Sequence, residues 1–205
     1  MKIITINREF GSGGRELAKL LAEKLGFDYY DKEIIDEIAK ETDLHPDYIE
    51  KILDKSFFAN YHLHYHHTFS YIAPLSSPSM KIFEEQTKIL NKIAEKGENF
   101  VIVGKCADIL LRKYKPIKLF VHANMESKIA RCKDRADIEE HLSDEKIAKN
   151  IETINKARAR NHGILSQIPW GDRSGYDLII NTTNVEIKNI VEPLANYLKG
   201  AFNIE

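Results

Sequence analysis

The sequence predicts a three-layer α/β/α fold around a five-stranded parallel sheet. Three observations carry that reading: short apolar runs of strand length, helical patterns between successive runs, and a glycine cluster where the first run gives way to the first helix. Ile3, Ile4 and Ile6 form the first run and meet Gly11-Ser12-Gly13-Gly14, after which Leu17, Leu20, Leu21 and Leu25 recur at helical spacing. Gly26 ends that helix as a C′ residue, and Phe27 to Tyr30 reads as a second short strand before Asp31. Helices are expected over 32–41 and 46–55, the latter opened by Pro46 in its first turn. Residues 56–79 are rich in aromatics and histidine, hold no sustained period, and read as an irregular insertion. Helix returns over 79–95 and is closed by Gly97. Phe100 to Val103, followed by Gly104, is a continuous apolar run suited to a strand buried on both faces, and Leu119 to Val121 and Leu178 to Ile180 read the same way. Helical patterns at 106–113, 125–134, 143–165 and 186–199 complete an alternation that needs crossovers, and hence a parallel sheet.

Composition removes several classes of function. A chain of 205 residues, 43% hydrophobic, supports one compact domain and excludes a small disulfide scaffold or a disordered tail. Thirty Lys and Arg stand against 31 Asp and Glu, so the net charge of -1 creates no field that gathers nucleic acid or anionic lipid; any basic site is local. Cys106 and Cys132 fall in no CxxC or zinc spacing and read as reduced thiols. No apolar run approaches the roughly 18 to 20 residues of a membrane span, and Met1 to Ile6 lacks a signal-peptide core. The expectation is a cytoplasmic protein without nucleic-acid or membrane partners.

The glycine cluster carries the most chemistry. Between a strand and a helix it presents backbone N–H groups, reinforced by the helix dipole, to an anion such as phosphate. Arg8 at the strand end and Arg15 at the helix mouth add guanidiniums suited to bidentate contact. The plainer alternative is an ordinary turn with surface arginines. The dinucleotide fingerprint GxGxxG fits poorly, because Glu16 stands at its third glycine and Asn7-Arg8-Glu9-Phe10 intervenes after the strand. The NTPase loop GxxxxGK[ST] fits in length from Arg8, with Gly13 on its second glycine, but Gly14 replaces the lysine and Arg15 the hydroxyl residue. Taken alone, Gly11, Ser12, Gly13, Gly14 and Arg15 predict anion binding.

From Ile3 to Gly26 the chain resembles the opening of the cytidylate kinase-like family. Tyr30-Asp31-Lys32-Glu33, Val103-Gly104-Lys105-Cys106-Ala107-Asp108, Phe120-Val121-His122-Ala123, Trp170-Gly171-Asp172 and Tyr176-Asp177-Leu178 continue the likeness in order. The family is similar to the P-loop nucleoside monophosphate kinases. The resemblance therefore implies one domain over 1–205, an acceptor-binding insertion at 36–96, a lid-like helical segment at 132–165, and Mg²⁺ with ATP or another NTP as cofactor. It implies small nucleotides as partners and leaves monomer or homodimer open. Arg8 and Gly11 to Arg15 would hold the donor phosphates. Arg131 and Arg158 match arginines near the start and end of the lid, and with Arg15 they are the catalytic candidates. Asp31, Lys105, Asp108 and Arg160 are the acceptor-side candidates, and no resident metal ligand set is expected.

The chain departs from true cytidylate kinases at Gly14, Arg15, Lys105 and Cys106, where those enzymes carry lysine, a hydroxyl residue and the Arg-Asp of a Gly-Arg-Asp motif. It also lacks their Ser or Thr after Asp31 and their arginine near Glu37. The implied acceptor is thus a nucleoside monophosphate or similar small phosphorylated molecule, not cytidylate in particular. A nucleotide- or anion-binding protein that retains the fold without transfer chemistry is the alternative, and a dinucleotide oxidoreductase a distant third.

Several residues admit two readings. Asp31 serves either the ligand crevice or the N-cap of the following helix. Asp108 either orders Mg²⁺ through water or sits in a first helical turn. Arg131, Arg135, Arg158 and Arg160 either close on phosphate or pair with Glu126, Glu139 or Glu152 along helices. His62, His64, His66 and His67, interleaved with Tyr61 and Tyr65, read as an acceptor-side wall or partner lobe before a metal site. Trp170 reads as a packing anchor.

Overall fold

All six residues of β1 (Ile3–Arg8) are buried, because the strand runs through the middle of the sheet with neighbours on both edges and helices on both faces. The computed structural model describes residues 1–46, 48–49, 78–135 and 142–204. In it, β1 pairs in parallel with β3 (Phe100–Val103) on one side and β4 (Ile117–His122) on the other, while β2 (Asp28–Tyr30) flanks β3 and β5 (Leu178–Asn181) flanks β4. The order β2-β3-β1-β4-β5 is the five-stranded parallel sheet expected from the sequence.

Side chains alternate along β1 even though its sequence does not, since both faces are covered. Ile4 and Ile6 join Val101, Val103, Leu119 and Val121 under α1 (Gly14–Leu25) and α7 (Ile187–Phe202). Ile3, with Phe100 and Ile102, faces α2 (Glu33–Thr42) and α3 (Pro78–Glu95) instead. A short α4 (Ala107–Leu110) follows β3, α5 (Met125–Asp134) follows β4, and the long α6 (Asp144–Leu165) precedes β5. Asn124 caps α5 through Ser127 N at 3.0 Å, and Ser143 caps α6.

Two expectations need correction. The helix over 106–113 is only α4 plus a 3-10 turn over Arg112–Tyr114, because Gly104, Lys105 and Cys106 all hold positive φ and delay its start. β5 is not buried on both faces: it is an edge strand, and Ile179 is 40% exposed. The helix expected over 46–55 is seen at Pro46, Tyr48 and Ile49. Its remainder, most of the stretch 56–79 and the four histidines at 62–67 lie outside the described residues. Among the described residues no helix is long and apolar enough to cross a membrane.

Candidate functional site

The strand ends of β1, β3 and β4 come together around the loop that joins β1 to α1, the crevice position in an open parallel sheet. Glu9 anchors the loop start, its N–H donating to Val121 O at 2.9 Å. Ser12 turns inward and is fully buried, with its hydroxyl donating to Glu9 O at 2.9 Å. Gly13 caps α1 at φ 80°, left-handed backbone that glycine adopts freely. Among the described residues, no protein acceptor takes the N–H of Gly11, Gly13, Gly14, Arg15 or Glu16. Five donors at the start of a twelve-residue helix thus remain available to an oxyanion.

Guanidiniums surround this loop. Arg8, 8% exposed, runs its side chain past Gly14 toward Gly104. Arg131 lies beside Gly13 and donates to Thr182 Oγ1 at 3.3 Å, to Thr182 O and to Val185 O at 3.0 Å. It thereby straps the β5–α7 connection to α5, and burial together with the nearby Arg135 lowers its pKa. Arg158 reaches from α6 and donates through Nη1 to Arg8 O at 3.1 Å, with its guanidinium 5.8 Å from the Phe10 ring centroid. From the same helix, Asn155 Oδ1 accepts the Phe10 N–H at 2.8 Å. α6 is therefore shut down on the loop.

Arg15 points another way. Its Nε meets Asp31 Oδ2 at 2.5 Å, and the guanidinium is half-exposed. Asp31 is 4% exposed and spends its carboxylate on this pair, while Lys32 occupies the N-cap of α2, so Asp31 does not cap that helix. Tyr29 Oη approaches the same carboxylate at 3.4 Å, and burial followed by the Asp31 charge pushes the phenol above its usual range. Asp108, 8% exposed, faces His162 of α6 at 3.0 Å; Asp108 Oδ1 and His162 Nδ1 are buried without hydrogen-bond partners. Lys105 lies in the positive-φ turn after β3, where its carbonyl accepts Gln86 Nε2 at 2.7 Å.

Arg160 sits two residues past Arg158 and is exposed on the other side of α6. Arg135 pairs with Glu16 at 2.5 Å, not within its own helix. Cys106 and Cys132 are free thiols. Trp170 packs edge-on against Phe120, centroids 5.0 Å apart, and acts as an anchor for the loop before β5.

Sequence reasoning missed four contributors. Lys128, its side chain 8% exposed, pairs with Glu9 at 2.8 Å beneath the loop. Thr182 Oγ1 donates to Ser12 O at 2.7 Å, and Gln86 and His162 act as just described. Lys128 is one helical turn before Arg131, and Asn155, Arg158 and His162 share a face of α6, so face counting would have found these.

A parallel α/β sheet with a glycine loop opening its first helix, and a helical arm folded over that loop, defines a kinase-like α/β protein. The sequence pattern of the cytidylate kinase-like family matches residues 3–184, and the chain belongs to that family. A cytidylate kinase of Saccharolobus islandicus is 26% identical over 199 residues, 97% of this chain and 91% of that one. A cytidylate kinase of Sulfurisphaera tokodaii is 24% identical over 200 residues, 96% of each. Among solved structures, an uncharacterized protein from Eubacterium ventriosum superimposes with a TM-score of 0.70 at 27% identity, covering 97% of this chain and 99% of the other. A shikimate kinase from Bacteroides thetaiotaomicron shares the fold, with a TM-score of 0.58 at 16% identity and 98% of each chain covered. Family and fold together support a nucleotide kinase-type function.

Proposed function

We propose that the protein is a nucleotide-dependent phosphotransferase that moves the γ-phosphoryl group of an NTP to a nucleoside monophosphate or a similar small phosphorylated acceptor. The observation that carries this reading is the set of unpaired amides of Gly11, Gly13, Gly14, Arg15 and Glu16, flanked by Arg8, Arg131 and Arg158. Amides already satisfied within the protein would have left no place for a polyphosphate. Residues 36–96 would provide the acceptor side, with Asp31 and Lys105 at its border, and 132–165 the lid.

Catalysis in this reading comes from position and charge. The loop amides hold the donor phosphates, Arg158 closes over them from α6, and helix docking excludes water from the transfer. Arg131 contributes by fixing the far wall through Thr182 and Val185, and reaches phosphate only if it leaves those acceptors. Mg²⁺ bound with the NTP would supply neutralisation of phosphate charge. The chain offers no ready ligand for it: Ser12 is turned to Glu9 and Asp108 to His162, and no group of three acidic, histidine or cysteine residues gathers among the described residues. The ion would arrive held by the nucleotide and water.

Purified protein incubated with ATP or GTP, Mg²⁺ and a panel of nucleoside monophosphates should yield a nucleoside diphosphate with at least one acceptor. Absence of product with every acceptor, alongside retained NTP binding, would favour the second reading, a binding protein without transfer chemistry. The glycine at position 14 and the inward-facing Ser12 and Asp108 are what recommend that alternative.

A further inference from the structure

The side chain of Arg8 occupies the space a lysine on the loop would need. Counting the loop from Arg8 puts Gly14 at the lysine position of the GxxxxGK[ST] pattern. A Cβ at Gly14 would lie 2.6 Å from Arg8 Cβ, 3.0 Å from Arg8 Cγ and 3.2 Å from Val121 Cβ. Cβ positions are fixed by their backbones, and both backbones here are tied into β1 and α1, so neither atom can swing aside. A side chain at position 8 and one at position 14 therefore exclude each other from the Cβ outward.

The far end of Arg8 is accommodated by a second glycine. A Cβ at Gly104 would collide with Nη1 of Arg8 and lie 3.1 Å from Cζ. Gly104 opens a turn in which Lys105 and Cys106 also hold positive φ, at 56° and 51°, a conformation costly for residues with a side chain. Gln86, 2% exposed, holds that turn by its bond to Lys105 O. The guanidinium thus lies between the first turn of α1, where the free amides are, and the end of β3, with α6 docked above through Arg158.

Resting on the phosphotransfer reading above, we propose that Arg8 supplies from β1 the polyphosphate-facing cation that a lysine at position 14 would supply from α1, and that Gly14 and Gly104 are the two openings that admit it. A guanidinium in this place offers a planar fork to two phosphate oxygens where an ammonium offers a point charge. The absent lysine is then an exchange of one cation for another, and the loop retains its charge.

The test uses full-length wild type, Arg8→Gly, Gly14→Lys and the double variant, with inorganic tripolyphosphate and then MgATP as probes in thermal-shift titrations; glycine at position 8 removes the Cβ that a side chain at 14 would meet. Wild type is expected to be stabilised by tripolyphosphate, and Arg8→Gly to bind it at least tenfold more weakly. Gly14→Lys alone should lower the ligand-free Tm. The same lysine should lower it far less in the Arg8→Gly background, where it should also restore tripolyphosphate affinity at least fivefold over Arg8→Gly. Equal Tm losses from Gly14→Lys in both backgrounds, or Arg8→Gly binding within twofold of wild type, would overturn the exchange. The Tm comparison needs no ligand, so a wild type that fails to bind tripolyphosphate refutes the parent reading and leaves the steric half decided separately. Should Arg8→Gly not fold, Arg8→Ala decides the binding half with the same thresholds.

Discussion

Gly13 shows how one missing side chain sets the loop. At φ 80° a Cβ there would collide with Ile187 Cδ1 and stand 2.8 Å from Cγ1, and Ile187 is a buried residue at the start of α7. Gly13→Ala combines a left-handed penalty of about 1 kcal/mol with overpacking of about 1–3 kcal/mol. Gly26 provides the contrast: φ is 68° but nothing lies within 4 Å, so Gly26→Ala meets the backbone penalty alone. Urea denaturation should show a midpoint loss for Gly13→Ala at least twice that for Gly26→Ala; equal losses would remove the packing argument. Cys106 makes a pH prediction at the same scale. Burial pushes its thiol up to about 12, against about 8.5 for a free cysteine. Its contribution to stability is full below about pH 8.5 and is lost as pH rises toward 12, because the unfolded thiol ionises first. Cys106→Ala should therefore flatten the fall in unfolding free energy between pH 8 and 10, measured by urea titration at each pH. A slope matching wild type would place the alkaline loss on other groups, such as Tyr29. The glycines were legible as a tight strand-to-helix turn, since three in four positions invite a reason. What each one touches was not, because Ile187, Lys128 and Arg8 come to it from three separate elements.

At the scale of elements, α6 explains why its arginines differ. A pitch of 3.6 residues sets Asn155, Arg158 and His162 on the side facing the loop and leaves Arg160 outward. The sequence placed Arg158 among the catalytic candidates and Arg160 on the acceptor side; the docking of the helix turns Arg158 to the loop and leaves Arg160 exposed. His162 and Asp108 form the inner end of that docking, each side chain 5% exposed. Removing one partner from such a site costs about 3–5 kcal/mol when a buried charge is left behind. His162→Ala should loosen α6 first: hydrogen exchange over 144–165 should accelerate while β1 and β4 remain protected. Unchanged exchange in α6 would mean the pair adds nothing to its docking, and uniform acceleration would mean that α6 is not a separable arm. The strands were read well from apolar runs, with one error that has a physical cause. Leu178-Ile179-Ile180 looks like a central strand by composition, but β5 pairs only with β4, and the run carries no information about its missing neighbour.

For the whole molecule, the sheet divides two cores that share their strands. Val101 and Val103 belong to the core that holds α1 and Leu194 and Leu198 of α7, while Phe100 and Ile102 of the same strand belong to the core that holds Leu90 of α3 and Ile38 of α2. Neighbouring residues of β3 therefore serve opposite cores, and the loop from Gly11 to Gly14 opens at the edge where both meet the strand ends. Coupling through β1 and β3 means that neither core can melt without stripping one face of the other's strands. Leu198→Ala and Leu90→Ala, each truncating a fully buried side chain, should cost about 2–5 kcal/mol apiece. Both should move one common transition, seen alike by far-ultraviolet circular dichroism and by Trp170 fluorescence. Trp170 packs on Phe120 of β4, two strands across the sheet from β3, toward the β5 edge. If Leu90→Ala splits the transition, with helix signal lost before the tryptophan signal, the α2–α3 side folds as its own unit. Asp31 and Lys105 would then belong to a different cooperative unit from the loop between β1 and α1.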